Sequence, residues 1–373
     1  MFEGSDRYPE SLAIEQPESI RVTAVGSLPF EGPAILRTLE GFRSDAPSGT
    51  DVRSLATERT RHMVELQEAA GLDILSEGDT FRSEPGRANW EHNYIYYFAR
   101  FLSGVGHSYM GSVPMVLGKI TSIDVAHVCA DYTRMQALTD LPVKISLPGP
   151  SSFLRRIPNV YYKDHSEYAE DYSHVLSQQV SALIDAGCRW IQFDDPHLAW
   201  DKDIWSAQLL DRVVQNNQHK DVKFIVHMCR GNLYDCGACG KEGELDEVAY
   251  YKEVLPSIEA SAIDYICVEN PCTVDGSFQL EGFSRGVMMG LMRIDTEECE
   301  SERELIDLIV QLRGEVSGDL IVSQNCGLKH LSLGVAHQKM TCLVSAAARA
   351  RNIISGSKEL LSNEEFGQGR KTA

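Results

Sequence analysis

His227-Met228-Cys229, Glu269 in Cys267-Val268-Glu269-Asn270, and Cys326 in Gln324-Asn325-Cys326-Gly327-Leu328-Lys329 are the residues of this chain whose types do metal chemistry. An imidazole, two thiols and a carboxylate are the ligands that Zn²⁺ takes in tetrahedral sites. Glu269 follows Cys229 by 40 positions, and Cys326 follows Glu269 by 57. A zinc finger closes its loop within a few tens of residues, so ligands this far apart need a large scaffold to meet. The same residues can also be read as three buried side chains and an unrelated carboxylate. Spacing alone does not separate the two.

The scaffold is legible in the run of short apolar stretches. Arg21–Val25, Leu72–Leu75, Val143–Leu147, Trp190–Phe193, Lys223–Val226, Asp264–Val268, Gly286–Leu291 and Leu320–Val322 read as strands. Amphipathic patterns lie between them, most clearly Ser166–Ala186, Ile204–Asn217, Glu298–Arg313 and Val335–Ile354. The first ends at Ala186-Gly187, a glycine placed to cap a helix before the next strand. Eight strands with intervening helices predict an α/β fold, a single (β/α)₈ TIM barrel. A doubly wound sheet is the alternative, but the chain has no glycine-rich phosphate loop of either nucleotide-binding type. The aromatic-rich stretch Thr80–Ser122 breaks the rhythm and is expected to be an excursion between strands two and three. The expected organisation is an N-terminal extension over 1–20, the barrel over 21–355 and a polar tail over 356–373.

Length and charge agree with one large soluble barrel. At 373 residues the chain exceeds what one small core supports, so length by itself admits one large barrel or two domains. A net charge of −19 argues against nucleic acid or an anionic membrane as partner. No apolar run reaches the ~18 residues needed to span a bilayer. Ten cysteines are too sparse for a disulfide scaffold, and Cys188 and Cys267 sit in apolar runs as small core residues. The polar start Met1-Phe2-Glu3-Gly4-Ser5-Asp6 does not resemble a leader peptide, and a cytoplasmic location is expected.

The polar residues then fall at repeating places. Gly26-Ser27 follows strand one, Glu77-Gly78-Asp79 strand two and Pro148-Gly149-Pro150 strand three. Asp194-Asp195-Pro196 follows strand four, His227-Met228-Cys229 strand five, Glu269 strand six, Asp295 strand seven and Cys326 strand eight. Strand carboxyl ends are where (β/α)₈ enzymes build their sites, which favours metal over coincidence.

These motifs carry a family resemblance. Gly26-Ser27-Leu28-Pro29 and Gly71 through Asp79 resemble the C-terminal barrel of cobalamin-independent methionine synthase. So do Ile191-Gln192-Phe193-Asp194-Asp195-Pro196, His227-Met228-Cys229 and Asn325-Cys326-Gly327-Leu328-Lys329, and the likeness runs from about Arg21 to Ile354. The resemblance implies one zinc per chain on His227, Cys229, Glu269 and Cys326, and methyl or alkyl transfer to a homocysteine-like thiol. It also implies a clamp for the acceptor's amino group on Asp194 and Asp79, with its carboxylate on the backbone around Ser27. The implied partners are a small-molecule thiol acceptor and a methyl or alkyl donor.

The chain departs from that family in three respects. Full-length methionine synthases have two barrels, and this one resembles the second alone. The family's catalytic histidine position reads Leu291-Met292-Arg293-Ile294-Asp295-Thr296, making Asp295 the catalytic candidate there. Asp79 stands where the family has glutamate, one methylene longer. The donor and acceptor therefore stay open, including a thiol that is not an amino acid. Two other classes remain: a metal-free decarboxylase of the uroporphyrinogen decarboxylase type, and a non-catalytic zinc barrel. Cys236-Gly237-Ala238-Cys239, in the insertion after Cys229, reads as ordinary loop thiols, since it has no partner pair.

Overall fold

The computed structural model describes residues 20–29, 52–79, 94–107, 113–121, 124–229, 251, 253–269 and 283–356. The strands are β1 (Ile20–Val22), β2 (Leu75–Ser76), β3 (Val105–His107), β4 (Pro114–Val116), β5 (Val143–Pro148), β6 (Trp190–Asp194), β7 (Lys223–Met228), β8 (Tyr265–Glu269), β9 (Gly286–Met292) and β10 (Leu320–Gln324). The helices are α1 (Val52–Ala70), α2 (Tyr94–Ala99), α3 (Ala126–Gln136), α4 (Pro150–Arg156), α5 (His165–Asp185), α6 (Pro196–Trp200), α7 (Ile204–Asn216), α8 (Leu255–Glu259), α9 (Glu302–Glu315) and α10 (Leu333–Ile354).

Eight strands pair in parallel in the order β1-β10-β9-β8-β7-β6-β5-β2. The two ends of that sheet meet at a parallel bridge between Thr23 and Ile74. There Asp73 N donates to Val22 O at 2.9 Å and Thr23 Oγ1 to Ile74 O at 2.8 Å. The ring closes as the alternating pattern predicts. At this seam the ladder is short, so β1 stops at Val22 and β2 begins at Leu75, inside the stretches read from the sequence.

The excursion between the second and third barrel strands holds α2 and the antiparallel pair β3–β4, outside the barrel sheet. The extension up to residue 19, the Cys236–Cys239 pair and the tail from 357 onward lie outside the described residues. No helix among the described residues is long and apolar enough to cross a membrane.

Two apolar layers follow from strand alternation. Leu147, Phe193, Val226, Val268, Met289 and Val322 pack outward against the helices. Val25, Ile74, Trp190, Ile225, Tyr265, Cys267, Met288 and Ile321 form a second cluster drawn from strands all round the ring, which only the barrel lumen can bring together. Side chains two apart on a strand share a face. Gln192 and Asp194 therefore stack above Trp190, His227 and Cys229 above Ile225, and Glu269 above Cys267. The apolar lumen is the floor on which the polar site stands.

Helix ends obey local chemistry. Gly187 follows α5 at φ 103°, where Cys188 N bonds Leu183 O at 2.9 Å and Gly187 N bonds Ile184 O at 3.0 Å. That is the glycine cap expected from Ala186-Gly187. Helix α9 starts four residues later than the sequence pattern suggested. Ser301 Oγ accepts from Glu304 N, and the Glu304 side chain accepts from Ser301 N, a capping box that leaves Glu298–Glu300 outside the helix.

Candidate metal centre

His227 and Cys229 leave β7 on the lumen side, and Cys326 sits in the bend after β10. The ligand atoms of these three residues all lie within 4.8 Å of one another. The two sulfurs are 3.7 Å apart, and both cysteines are free thiols. A tetrahedral ion with metal–sulfur bonds of ~2.3 Å holds its sulfurs ~3.8 Å apart, so this spacing fits the donor set. His227 Nε2 is buried with no hydrogen-bond partner among the described residues, as a nitrogen kept for a metal would be. Contact with Cys229 holds the Cys326 pKa below the usual cysteine value; burial works the other way, and the nearby His227 adds to the lowering. Glu269, buried at the end of β8, lies outside that three-atom group, although its charge is felt at the Cys326 thiol.

Turn geometry places Cys326. The register of β10 against β9 shifts between Ser323 and Gln324, a bulge at the barrel rim beside the site. The turn then closes on the loop after β1: Leu328 N donates to Ser27 O at 2.7 Å. A Cβ on Gly327 would stand 2.0 Å from Ser27 Oγ, so any larger residue would make the serine hydroxyl turn away. Ser27 is thereby set beside Cys326. Asp79 follows β2 with φ 52°, a left-handed conformation that aspartate tolerates better than most residues, and its Oδ2 faces Gly26. Ser27, Asp79 and the cysteine turn thus share one mouth of the barrel.

Asp194, at the end of β6, has a partner that the sequence did not disclose. Its Oδ1 lies 2.9 Å from His227 Nδ1 and accepts from Gln192 Nε2 at 2.6 Å. Both bonds fall on one oxygen, and 18% of the side chain stays accessible. Burial alone would raise the Asp194 pKa, but the His227 and Gln192 bonds and the charge of Lys144 bring it below the usual carboxylate value. For His227, burial opposes the charged ring, yet the Asp194 bond and charge raise its pKa on balance.

Behind Asp194 stands Lys144 of β5, buried in the lumen. Its Nζ donates to Val25 O at 2.7 Å and to Gln192 Oε1, while Gln192 Nε2 also donates to Val25 O at 3.0 Å. Burial pulls the Lys144 pKa down to about 8, against the attraction of Cys267, Asp194 and Asp79. Neither Lys144 nor the role of Gln192 was picked out from sequence. The signal was a lysine in the short strand Val143–Leu147, on the same face as Ser146.

Asp195 is structural. Gly149 at the start of α4 has no side chain to cap it, and the Asp195 carboxylate accepts instead from Ser151 N at 3.2 Å and Ser152 N at 2.6 Å. Asp295 lies beyond β9, paired with Arg293 through bonds of 2.9 Å from Nε and 2.6 Å from Nη2. The Arg293 bond holds its pKa below the usual carboxylate value, although partial burial works the other way. A carboxylate so held is a fixed negative charge near neutral pH and not a proton donor.

Residues 20–349 match the family model described as cobalamin-independent synthase, catalytic domain. A methionine synthase of Sulfolobus acidocaldarius is 23% identical over 346 residues, covering 88% of this chain and 91% of that protein. A 5-methyltetrahydropteroyltriglutamate–homocysteine methyltransferase of Bacillus subtilis is 23% identical over 373 residues, covering 92% of this chain but 45% of its own length. Among solved structures, a B12-independent methionine synthase from Shewanella sp. W3-18-1 superposes with a TM-score of 0.70 at 24% identity, covering 90% of this chain and 99% of the other.

Proposed function

The chain belongs to the family of cobalamin-independent synthase catalytic domains, and from that membership we propose that it methylates the sulfur of homocysteine or a closely similar amino-thiol. The observation that carries the reading is the cluster of buried His227 and Cys229 with half-buried Cys326, whose imidazole Nε2 has no hydrogen-bond partner among the described residues, at the carboxyl ends of the barrel strands. A metal-free decarboxylase has no need of such a cluster.

His227, Cys229 and Cys326 would hold one Zn²⁺, with Glu269 completing the set. When bound, zinc lowers the pKa of an acceptor thiol from ~8.5, so that its sulfur is nucleophilic at neutral pH. Glu269, outside the three-atom group, would be the ligand most readily displaced by the acceptor sulfur. Asp194 turns one oxygen to His227 and offers the other to the acceptor's ammonium group. Asp79 adds a second negative charge at the same mouth, and the backbone at Ser27 receives the acceptor carboxylate.

In the transfer, the sulfur attacks the methyl carbon, the carbon–donor bond breaks, and its electron pair stays on the donor. The donor then needs a proton. Asp295, ionised beside Arg293, does not supply one at neutral pH and acts through its charge. The donor is a methyl-folate of the kind named in the relatives, or a donor with a better leaving group that needs no acid. The deciding experiment incubates zinc-loaded protein with homocysteine and each donor and measures methionine. The reading predicts methionine with at least one donor and none after zinc is removed. No product from any donor by a zinc-loaded, folded protein overturns it.

A further inference from the structure

We propose that Lys144, acting through Gln192, is a positioning residue that sets both the acceptor clamp Asp194 and the metal ligand His227. The inference rests on the functional reading above and adds to it two residues that touch neither metal nor acceptor.

The argument is one of donors and acceptors. A lysine ammonium has three donors and no acceptor. Lys144 spends its described bonds on Val25 O and Gln192 Oε1. The amide oxygen of Gln192 must therefore face Lys144, and its NH₂ must face the other way. A flipped amide would set donors against the ammonium and an oxygen against the Asp194 carboxylate. The neighbours of this amide therefore leave one assignment of its oxygen and nitrogen. The NH₂ then donates to Val25 O and to Asp194 Oδ1.

Two consequences follow at the site. Asp194 Oδ1 is held between Gln192 Nε2 and His227 Nδ1, which fixes the carboxylate rotation and leaves Oδ2 without a hydrogen bond among the described residues. His227 donates through Nδ1, so the bare nitrogen is Nε2, the atom in the cluster with no hydrogen-bond partner among the described residues. A carboxylate behind a ligand histidine fixes its tautomer and orientation. The chain Lys144–Gln192–Asp194–His227 extends that support two residues deeper, from β5 through β6 to β7.

Cost argues the same way. Burying an ammonium is expensive, and an apolar side chain of equal volume would fill this lumen without penalty. Lys144 has no carboxylate in direct contact among the described residues, so the bond to Gln192 is what its position achieves.

The test uses two variants in the full chain. Lys144→Met removes the donor that orients the amide. Gln192→Glu keeps an acceptor for Lys144 but cannot donate to Asp194. Zinc affinity is measured by competition with a chromophoric chelator, and the ¹⁵N shifts of His227 are read in zinc-free protein. Expected are a 10- to 100-fold loss of zinc affinity in both variants, mixed His227 tautomers where wild type shows protonated Nδ1, and a raised KM for the acceptor with kcat changed less. If Lys144→Met fails to fold, Gln192→Glu decides, since it leaves Lys144 paired. Folded variants with zinc affinity within twofold of wild type, one His227 tautomer and unchanged KM overturn the proposal. So does a lowered melting temperature as the sole effect. A wild type that binds no zinc would defeat the functional reading instead, and the His227 shifts would still judge the relay.

Discussion

Asp194 Oδ1 and His227 Nδ1 lie 2.9 Å apart, each on the lumen side of neighbouring barrel strands. The register that pairs Asp194 with His227 across β6 and β7 makes this contact, and it joins the proposed acceptor clamp to the proposed metal ligands. The two functions are therefore not separable by mutation at Asp194.

Asp194→Asn is expected to weaken zinc binding by roughly 10- to 100-fold, because an amide supports the imidazole less well than a carboxylate. It should also weaken amino-thiol binding by about 1.5–3 kcal/mol, the worth of a hydrogen bond to a charged group. Chelator competition and calorimetry with homocysteine give the two numbers, and unchanged zinc affinity would dissolve the link.

Metal analysis of purified protein should find close to one zinc per chain. His227→Ala, Cys229→Ala and Cys326→Ala should each abolish stoichiometric zinc, since each removes one of the three clustered atoms. Glu269→Gln should retain zinc at reduced affinity, because the three remain. Full zinc in both His227→Ala and Cys326→Ala would place the site elsewhere.

Asp295 is predicted to matter as a charge rather than as an acid. Replacing it with asparagine should lower turnover without removing a limb from the pH–rate profile. Asp295→His should raise turnover with triglutamyl methyl-folate more than with methylcobalamin, because the first donor needs a proton on its leaving nitrogen. Equal effects on both donors would show that proton supply at this position is not limiting.

Lys144 makes stability depend on alkaline pH. Burial pulls its pKa from 10.5 down to about 8. Between those values the unfolded chain binds more protons than the folded one, so this residue's contribution rises with pH from about 8 to 10.5, by at most about 3 kcal/mol. Below pH 8 that contribution is absent. Denaturant melts of wild type and Lys144→Met at pH 7, 8, 9 and 10 should diverge in favour of wild type at the upper end. A constant difference would mean that Lys144 keeps its ordinary pKa.

Asp195→Ala should loosen α4, whose first amides have the Asp195 carboxylate as their cap. The expected loss is about 2 kcal/mol of stability, with faster hydrogen exchange at Ser151 and Ser152. Exchange unchanged at those two amides would assign the cap to another group.

Much of this site could be read along the chain because it follows from nearest neighbours. Apolar runs of strand length, the glycine after Ala186 and the two-residue step from His227 to Cys229 are local facts, and period-two alternation puts that pair on one face wherever the strand lies. The Ser301/Glu304 capping box was equally local, and amphipathic periodicity running back to Glu298 obscured it. What only the tertiary structure decided is which distant residues meet. The 3.7 Å between Cys229 and Cys326, the contact of Asp194 with His227, and the Lys144–Gln192 bond each depend on strand register around a closed ring. A shift of one residue would reverse the face that each strand presents, and no local preference encodes that choice. Asp295 shows the same limit at short range. Its spacing from Arg293 was visible, but whether the carboxylate faced the arginine or the site depended on how the chain turned as it left β9.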